Sequence, residues 1–185
     1  NPKFDITKIN YKDQKVYNLF AEGRTEGIFQ FESSGMKEKL RLLKPTEFND
    51  IVAMNALYRP GPMAQIETYI RRKHGEEKVN YPHPNLEKIL KDTYGVIVYQ
   101  EQIMLIAVNF AHMSLNEADN MRRAVSKKKK EDLEYYGRIF IEKSVAVGYD
   151  RNVAKSLFDL IVTFANYGFN KSHAVVYSML AYRLA

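Results

Sequence analysis

Tyr167-Gly168-Phe169-Asn170-Lys171-Ser172-His173-Ala174 stands between two stretches of helical periodicity, and the chain is read outward from it. Before it, Val153, Leu157, Leu160, Ile161 and Phe164 fall on one face of a helix. Gly168 sits where a left-handed C-cap belongs, so the spacing predicts that this helix ends there. After it, Ser172 has the chemistry of an N-cap for a helix through Val176, Leu180 and Leu184. Unpaired backbone N–H groups, Lys171 and His173 then gather at one helix N-terminus, a place that favours anions and phosphate above all. The ordinary reading of the same residues is a helix-turn-helix corner with a solvated lysine, and on this stretch alone it is preferred.

The rest of the chain extends the helical pattern. Asp13 caps a predicted helix holding Val16, Tyr17, Leu19 and Phe20, and Gly23 ends it. Gly27 to Phe31 is a short apolar run whose length fits a strand, or a buried extended segment, better than a helix. Ser33 or Ser34 opens a helix through Met36, Leu40 and Leu43, which Pro45 stops. Thr46 is the expected cap of the next, with Ile51, Met54 and Leu57 inward, and Arg59-Pro60-Gly61-Pro62 breaks it in a rigid turn. Ile66, Tyr69 and Ile70 share the face of a helix ending near Gly75, and residues 76–84 read as a loop. A helix from about Asn85 to Lys91 follows. Val96 to Tyr99 has strand composition but runs into the helical spacing of Ile103, Ile106, Ala107, Phe110 and Ala111. Ser114 with Glu117 makes a capping box for a helix that carries Arg122 and Arg123 near its end. Leu133, Tyr136, Phe140 and Val147 mark another helix, stopped at Gly148, and Asp150 caps the one that leads to Tyr167. The expected architecture is mainly α, a multi-helix domain with at most one or two short strands.

Composition sets the outer limits. A chain of 185 residues with ordinary hydrophobic content can bury a core and form one domain, or one large subdomain. The absence of cysteine excludes a disulfide framework and thiolate metal sites. No apolar run reaches the length of a membrane span and no signal peptide opens the chain, so a soluble, cytoplasmic protein with no membrane partner is expected. Twenty-eight basic against 22 acidic residues, a net charge of +6, suit a polyanionic partner without identifying one. The last helical pattern stops at Ala185 with no cap, and the chain reads as a fragment.

Arg122-Arg123-Ala124-Val125-Ser126 followed by Lys127, Lys128, Lys129 and Lys130 is the strongest electrostatic feature. It is read either as a solvated connection between helices or as a phosphate clamp, guanidinium forks gripping oxygens and lysines adding point charge. Arg59 and Lys171 would add to such a clamp. The paired acids Glu76-Glu77 and Glu131-Asp132 are better explained by solvation or the helix dipole than by acid–base work. His74, His83, His112 and His173 lack metal-ligand spacing, and no nucleophile elbow or Walker-type loop is present. No catalytic and no metal-binding residue is assigned, and the residues point to phosphate or nucleic-acid binding.

Several motifs, in order and across nearly the whole chain, resemble one family: the alpha subunit of bacterial replicative DNA polymerase III, a C-family polymerase. They are Gly27-Ile28-Phe29-Gln30-Phe31-Glu32-Ser33 with Gly35-Met36-Lys37, Ala56 to Pro62, Tyr69 to Gly75 followed by Tyr81-Pro82, and Thr93-Tyr94-Gly95. Tyr99-Gln100-Glu101-Gln102, Met121 to Ala124 with its lysines, and Phe164 to His173 ending in Tyr177-Ser178 complete the set. The resemblance implies that residues 1–185 are a single fragment covering most of the fingers subdomain, with the palm and other domains absent. It implies a parent that is a DNA-directed DNA polymerase, a nucleotidyltransferase of DNA replication. Its partners would be the incoming dNTP, primer-template DNA, the remaining polymerase domains and replisome subunits. The family's magnesium-binding aspartates belong to the palm, so no cofactor is expected in this fragment, Mg2+ is expected in the parent, and the fragment alone is expected to be inactive. Ser126 and four lysines stand where the family has a lysine-glycine version of the basic run.

Carried over residue by residue, Arg122 and Arg123 are the arms that meet the triphosphate, and Lys127, Lys128 and Lys129 reinforce the field. Arg59, Asn170, Lys171 and His173 match nucleotide- or phosphate-binding positions, while Gln100 and Gln102 line the template cleft. Phe29 and Gln30 are expected to pack the start of the subdomain. A stand-alone helical nucleic-acid-binding module without catalysis is the alternative the residues leave open.

Overall fold

The computed structural model describes residues 5–127, 129–165 and 167–185. The chain divides into two compact units, Asn1–Glu77 with Lys171–Ala185, and Lys78–Asn170.

The first unit is built on helix α3, Phe48–Leu57, which buries Ile51, Val52, Ala53, Met54, Ala56 and Leu57. A helix apolar on so much of its circumference needs neighbours on several sides. Helix α1, Gln14–Ala21, is capped by Asp13, whose side chain accepts from Lys15 N–H. Helix α2, Ser34–Leu43, is capped by Ser33 and closes on Lys44 in the left-handed region, just before Pro45. Glu47, and not Thr46, caps α3, because Asp50 reaches back to the Glu47 backbone and accepts from Thr46 N–H as well. Asp50 is fully buried and meets Lys73 of α4, Ile66–Lys73, at 2.9 Å. Taking Lys73 away would strand a buried carboxylate, so this pair holds α4 to the start of α3.

The last helix, α10, Lys171–Leu184, belongs to this unit and packs on α3. Its buried Ala174, Ser178 and Ala181 are small residues at helical spacing, which lets the two backbones approach closely. Asn55 of α3 donates through Nδ2 to Ala174 O at 3.3 Å and to Ser178 Oγ at 3.4 Å. The buried Tyr182 hydroxyl receives Asp13 N–H at 2.9 Å and donates to Asn10 O at 3.1 Å, tying α10 to the entry of α1. Ser172 lies inside the first turn of α10, two residues later than a cap would stand.

The second unit has its own core of Leu86, Leu90, Ile97, Ile103, Ile106, Phe110, Met121, Val125, Phe140, Leu157, Phe158 and Ile161. It is assembled from α5, Glu87–Leu90, α6, Gln100–Ala111, α7, Leu115–Lys127, α8, Lys130–Ala146, and α9, Arg151–Ala165. The Ser114–Glu117 capping box opens α7 as expected: Ser114 N–H donates to Glu117 Oε2 at 2.7 Å and Glu117 N–H to Ser114 Oγ at 3.2 Å. Gly137 lets α8 lie on α9, since a Cβ there would stand 2.8 Å from the Phe158 ring.

The chain is mainly α, and among the described residues there is no strand, only an isolated parallel bridge between Tyr99 and Phe169. Residues 27–31 form a turn instead of the expected strand. Gly27 and Gln30 take positive φ, and Phe31 N–H returns to Ile28 O at 2.9 Å, so the run folds on itself and offers no edge. Phe29 is 45% exposed and Gln30 is exposed, contrary to the expectation that they pack the unit. Val96 to Tyr99 is buried and belongs to no helix, with Tyr99 extended as N-cap of α6. Gly168 lacks the positive φ of a left-handed cap; its glycine character serves close packing against Gln100. Among the described residues no helix is long and apolar enough to cross a membrane.

Candidate functional site

Three separate motifs of the sequence meet at the start of α6. The backbone from Tyr167 onward is laid along Val98 to Gln100: Phe169 N–H donates to Val98 O at 3.0 Å, and Gln100 N–H donates to Phe169 O at 2.9 Å. Gly168 permits that approach, because a Cβ would come 3.2 Å from Gln100 Cγ and 3.4 Å from its backbone nitrogen. The Gln100 side chain, fixed from this side, accepts from Arg122 Nη1 of α7 at 3.3 Å.

Arg122 and Arg123 are both organised by Asp119, one helical turn earlier. Arg122 donates to Asp119 Oδ1 through Nε at 3.0 Å and Nη2 at 2.7 Å, and Arg123 Nη2 reaches Asp119 Oδ2. These bonds, Arg122 first, hold the Asp119 carboxyl below its usual range. The two guanidiniums differ in setting: the Arg122 side chain is 20% exposed and that of Arg123 is 62% exposed. Arg122 is therefore a fixed donor and Arg123 a solvent-facing one. Ser126 closes the frame, donating to Arg122 O at 2.8 Å and Ala165 O at 3.3 Å.

Lys127 ends α7 and Lys129 caps α8, both exposed, while Lys128 lies outside the described residues. Gln102 is 5% exposed. Its Oε1 accepts from Val98 N–H at 2.8 Å and Tyr99 N–H at 2.9 Å, and its Nε2 donates to Thr93 Oγ1 at 2.8 Å and Ile89 O at 3.3 Å. All four hydrogen-bonding positions of that amide are engaged by its own unit. Asn170 is the last residue of the second unit.

Arg59, Lys171 and His173 belong to the first unit. Arg59 is half-buried at the end of α3, with Nε donating to Ala56 O at 2.8 Å, and burial lowers the pKa of its guanidinium. His173 is exposed on the first turn of α10, its ring 4.4 Å from that of Tyr177. Asp119 was missed by attention to the basic run alone, although its spacing of three and four residues from the arginines is a helical pairing signal. Among the described residues no group of three or more His, Asp or Glu side chains is placed to hold a metal ion.

Over residues 1–148 the chain matches the family described as the bacterial DNA polymerase III alpha subunit finger domain, and it belongs to that family. In particular, it is 56% identical over 185 residues to DNA polymerase III subunit alpha of Bacillus subtilis (strain 168), covering 100% of this chain and 17% of that protein. The subunit of the same name from Halalkalibacterium halodurans is 56% identical over 181 residues, 98% of this chain and 16% of its own length. That of Staphylococcus aureus (strain Mu50) is 56% identical over 178 residues, 96% of this chain and 17% of its own. The chain spans about a sixth of the length of these relatives.

Proposed function

We propose that this chain is the nucleotide-handling fingers part of a replicative DNA-directed DNA polymerase, in which the arginine pair of α7 meets the triphosphate of the incoming dNTP. The observation that carries the reading is the junction of Gln100, Arg122 and the segment at Gly168. It fixes one guanidinium beside a polar residue at the head of α6 and leaves the next exposed. Arg123 grips phosphate oxygens, Arg122 and Asp119 set the angle from which it does so, and Lys127, Lys128 and Lys129 deepen the positive field. Gln100 faces the template cleft, and Asn170 follows Phe169, whose carbonyl accepts from Gln100 N–H. Lys171, His173 and Arg59 are groups of the first unit to which the same phosphate chemistry is assigned.

The chain binds and orients; the nucleotidyl transfer itself belongs to the whole subunit, with primer-template DNA as substrate and replisome subunits as partners. Magnesium, which supplies the charge that activates the primer hydroxyl and steadies the leaving pyrophosphate, would be held by carboxylates of the palm, outside this chain.

The test is a pair of substitutions in the full-length polymerase, Arg123→Ala and Lys171→Ala, each followed by steady-state nucleotide titration on a fixed primer-template. A guanidinium follows charge that develops on the leaving group better than a single ammonium does. Arg123→Ala is therefore expected to lower kcat and raise KM, and Lys171→Ala to act mainly on KM. Each lost charge-assisted contact costs about 1.5 to 3 kcal/mol, on the order of ten- to a hundredfold. If both variants keep nucleotide kinetics within about twofold of the parent and weaken only DNA binding, the residues belong to the template path.

A further inference from the structure

The turn between α1 and α2 displays two side chains that stay largely exposed within its own unit. Thr25, Ile28 and Phe31 are buried and pin it in place. Thr25 Oγ1 donates to Phe31 O at 2.6 Å, Ile28 N–H to Thr25 O at 3.2 Å, and Phe31 N–H to Ile28 O at 2.9 Å. Between these anchors stand the exposed Phe29 and Gln30, the latter with a φ of 71°. A left-handed backbone at a residue with a Cβ costs about 1–2 kcal/mol, and such conformations concentrate where the surroundings impose them for use.

The Phe29 ring is one end of an aromatic ladder. Its centroid lies 5.5 Å from that of Tyr177, tilted by 37°, and Tyr177 lies 4.4 Å from His173, tilted by 39°. Beside Phe29 opens a cavity of about 390 Å³ whose lining includes Gln30, Ser33, Asn55 and Tyr58. Its shape depends on Gly35, where a Cβ would collide with the Tyr58 hydroxyl. Asn55 uses its Nδ2 on the backbone and hydroxyl of α10, which leaves the amide oxygen as an acceptor.

We propose that this turn is a nucleobase-stacking site: a base lies on Phe29, backed by Tyr177 and His173, and the amides of Gln30 and Asn55 meet its edge. A flat aromatic face accepts any base, and amide side chains match the mixed donors and acceptors of base edges. The inference rests on the reading that this chain handles nucleotides and extends it, giving the base a site of its own in the first unit while the arginine pair takes phosphate. The base comes either from the single-stranded template or from the incoming nucleotide, and the chemistry of recognition is the same for both.

The experiment uses the full-length polymerase with Phe29→Ala, Phe29→Leu and Phe29→Trp. Two probes are applied: a primer-template whose single-stranded overhang carries 2-aminopurine, which loses fluorescence on stacking, and titration with dNTP. Ala and Leu are expected to weaken one probe by on the order of tenfold, and Trp to stay within about threefold of the parent. Loss in overhang affinity with loss of quenching identifies a template base, and loss in nucleotide KM identifies the incoming one. If Leu behaves like the parent, the site is aliphatic packing and the proposal fails; it fails equally if Ala leaves both probes within about twofold. Stacking releases no counterions, so Phe29→Ala should leave the salt dependence of DNA binding unchanged. A null result for Arg123→Ala in nucleotide kinetics would remove the phosphate assignment without touching this outcome.

Discussion

Glu117 does two things with one carboxylate. It caps α7 by accepting from Ser114 N–H, and its Oε1 pairs with Lys143 of α8 at 2.9 Å. The Lys143 bond, then those from Ser114, pull its pKa from 4.5 down to about 2. A carboxyl depressed in the folded state stabilises fully above its unfolded pKa, and the contribution is lost as pH falls through the folded value. The window is therefore about pH 4.5 down to about 2. The side chains are 38% and 40% exposed, so solvent screening keeps the charge contribution below about 1 kcal/mol. Glu117→Gln should lower the melting temperature at pH 7 by a few degrees, and the gap to the parent should narrow when both are melted near pH 3. An equal gap at both pH values would mean that the charge contributes nothing. This capping box was legible because it is local, two residue types three positions apart. Asp119 had the same kind of legibility, yet its role emerges only once Arg122 is seen to turn toward Gln100, far away in sequence.

At the scale of elements, the entry to α6 shows what a sequence conceals. Val96 to Tyr99 reads as a strand by composition and lies outside any helix, but no neighbouring strand exists among the described residues to take its N–H groups. Gln102 takes two of them, from one turn inside the helix. Gln102→Leu removes that acceptor from the buried N–H groups of Val98 and Tyr99, and removes the Nε2 donor from Thr93 Oγ1 and Ile89 O. Each stranded group costs about 1–3 kcal/mol, so a loss on the order of 3 kcal/mol or more is expected in denaturant unfolding. Gln102→Glu, which keeps an acceptor oxygen for the two N–H groups but loses the Nε2 donor, should recover part of it at neutral pH. A loss under about 1 kcal/mol for Leu would show that water replaces the amide without penalty. Periodicity placed most helices, since each signal lies within a turn or two. It failed at residues 27–31, where a strand-like apolar run folds into a turn because two positions take positive φ. It also misjudged Gly168, whose reason for being glycine is a side chain 68 positions away, Gln100.

For the whole molecule, the second unit is one continuous segment, Lys78–Asn170, with its own core. Expressed alone, residues 78–170 should give a helical circular dichroism spectrum and a single cooperative melt. A chain that stays unfolded would show that the core needs the other unit to form. The first unit has no such continuity: α10 is separated from α3 by the whole of the second unit.

That separation sets a timetable on the ribosome. Helix α3, with apolar residues around most of its circumference, leaves the exit tunnel long before the small-residue face of α10 that covers it. At about 5–20 residues per second, the interval is on the order of ten seconds. Throughout it α3 lacks that cover, while the contiguous second unit can finish folding within the wait. The apolar faces of α3 are therefore least covered in mid-synthesis, although the helix is buried once α10 has been made.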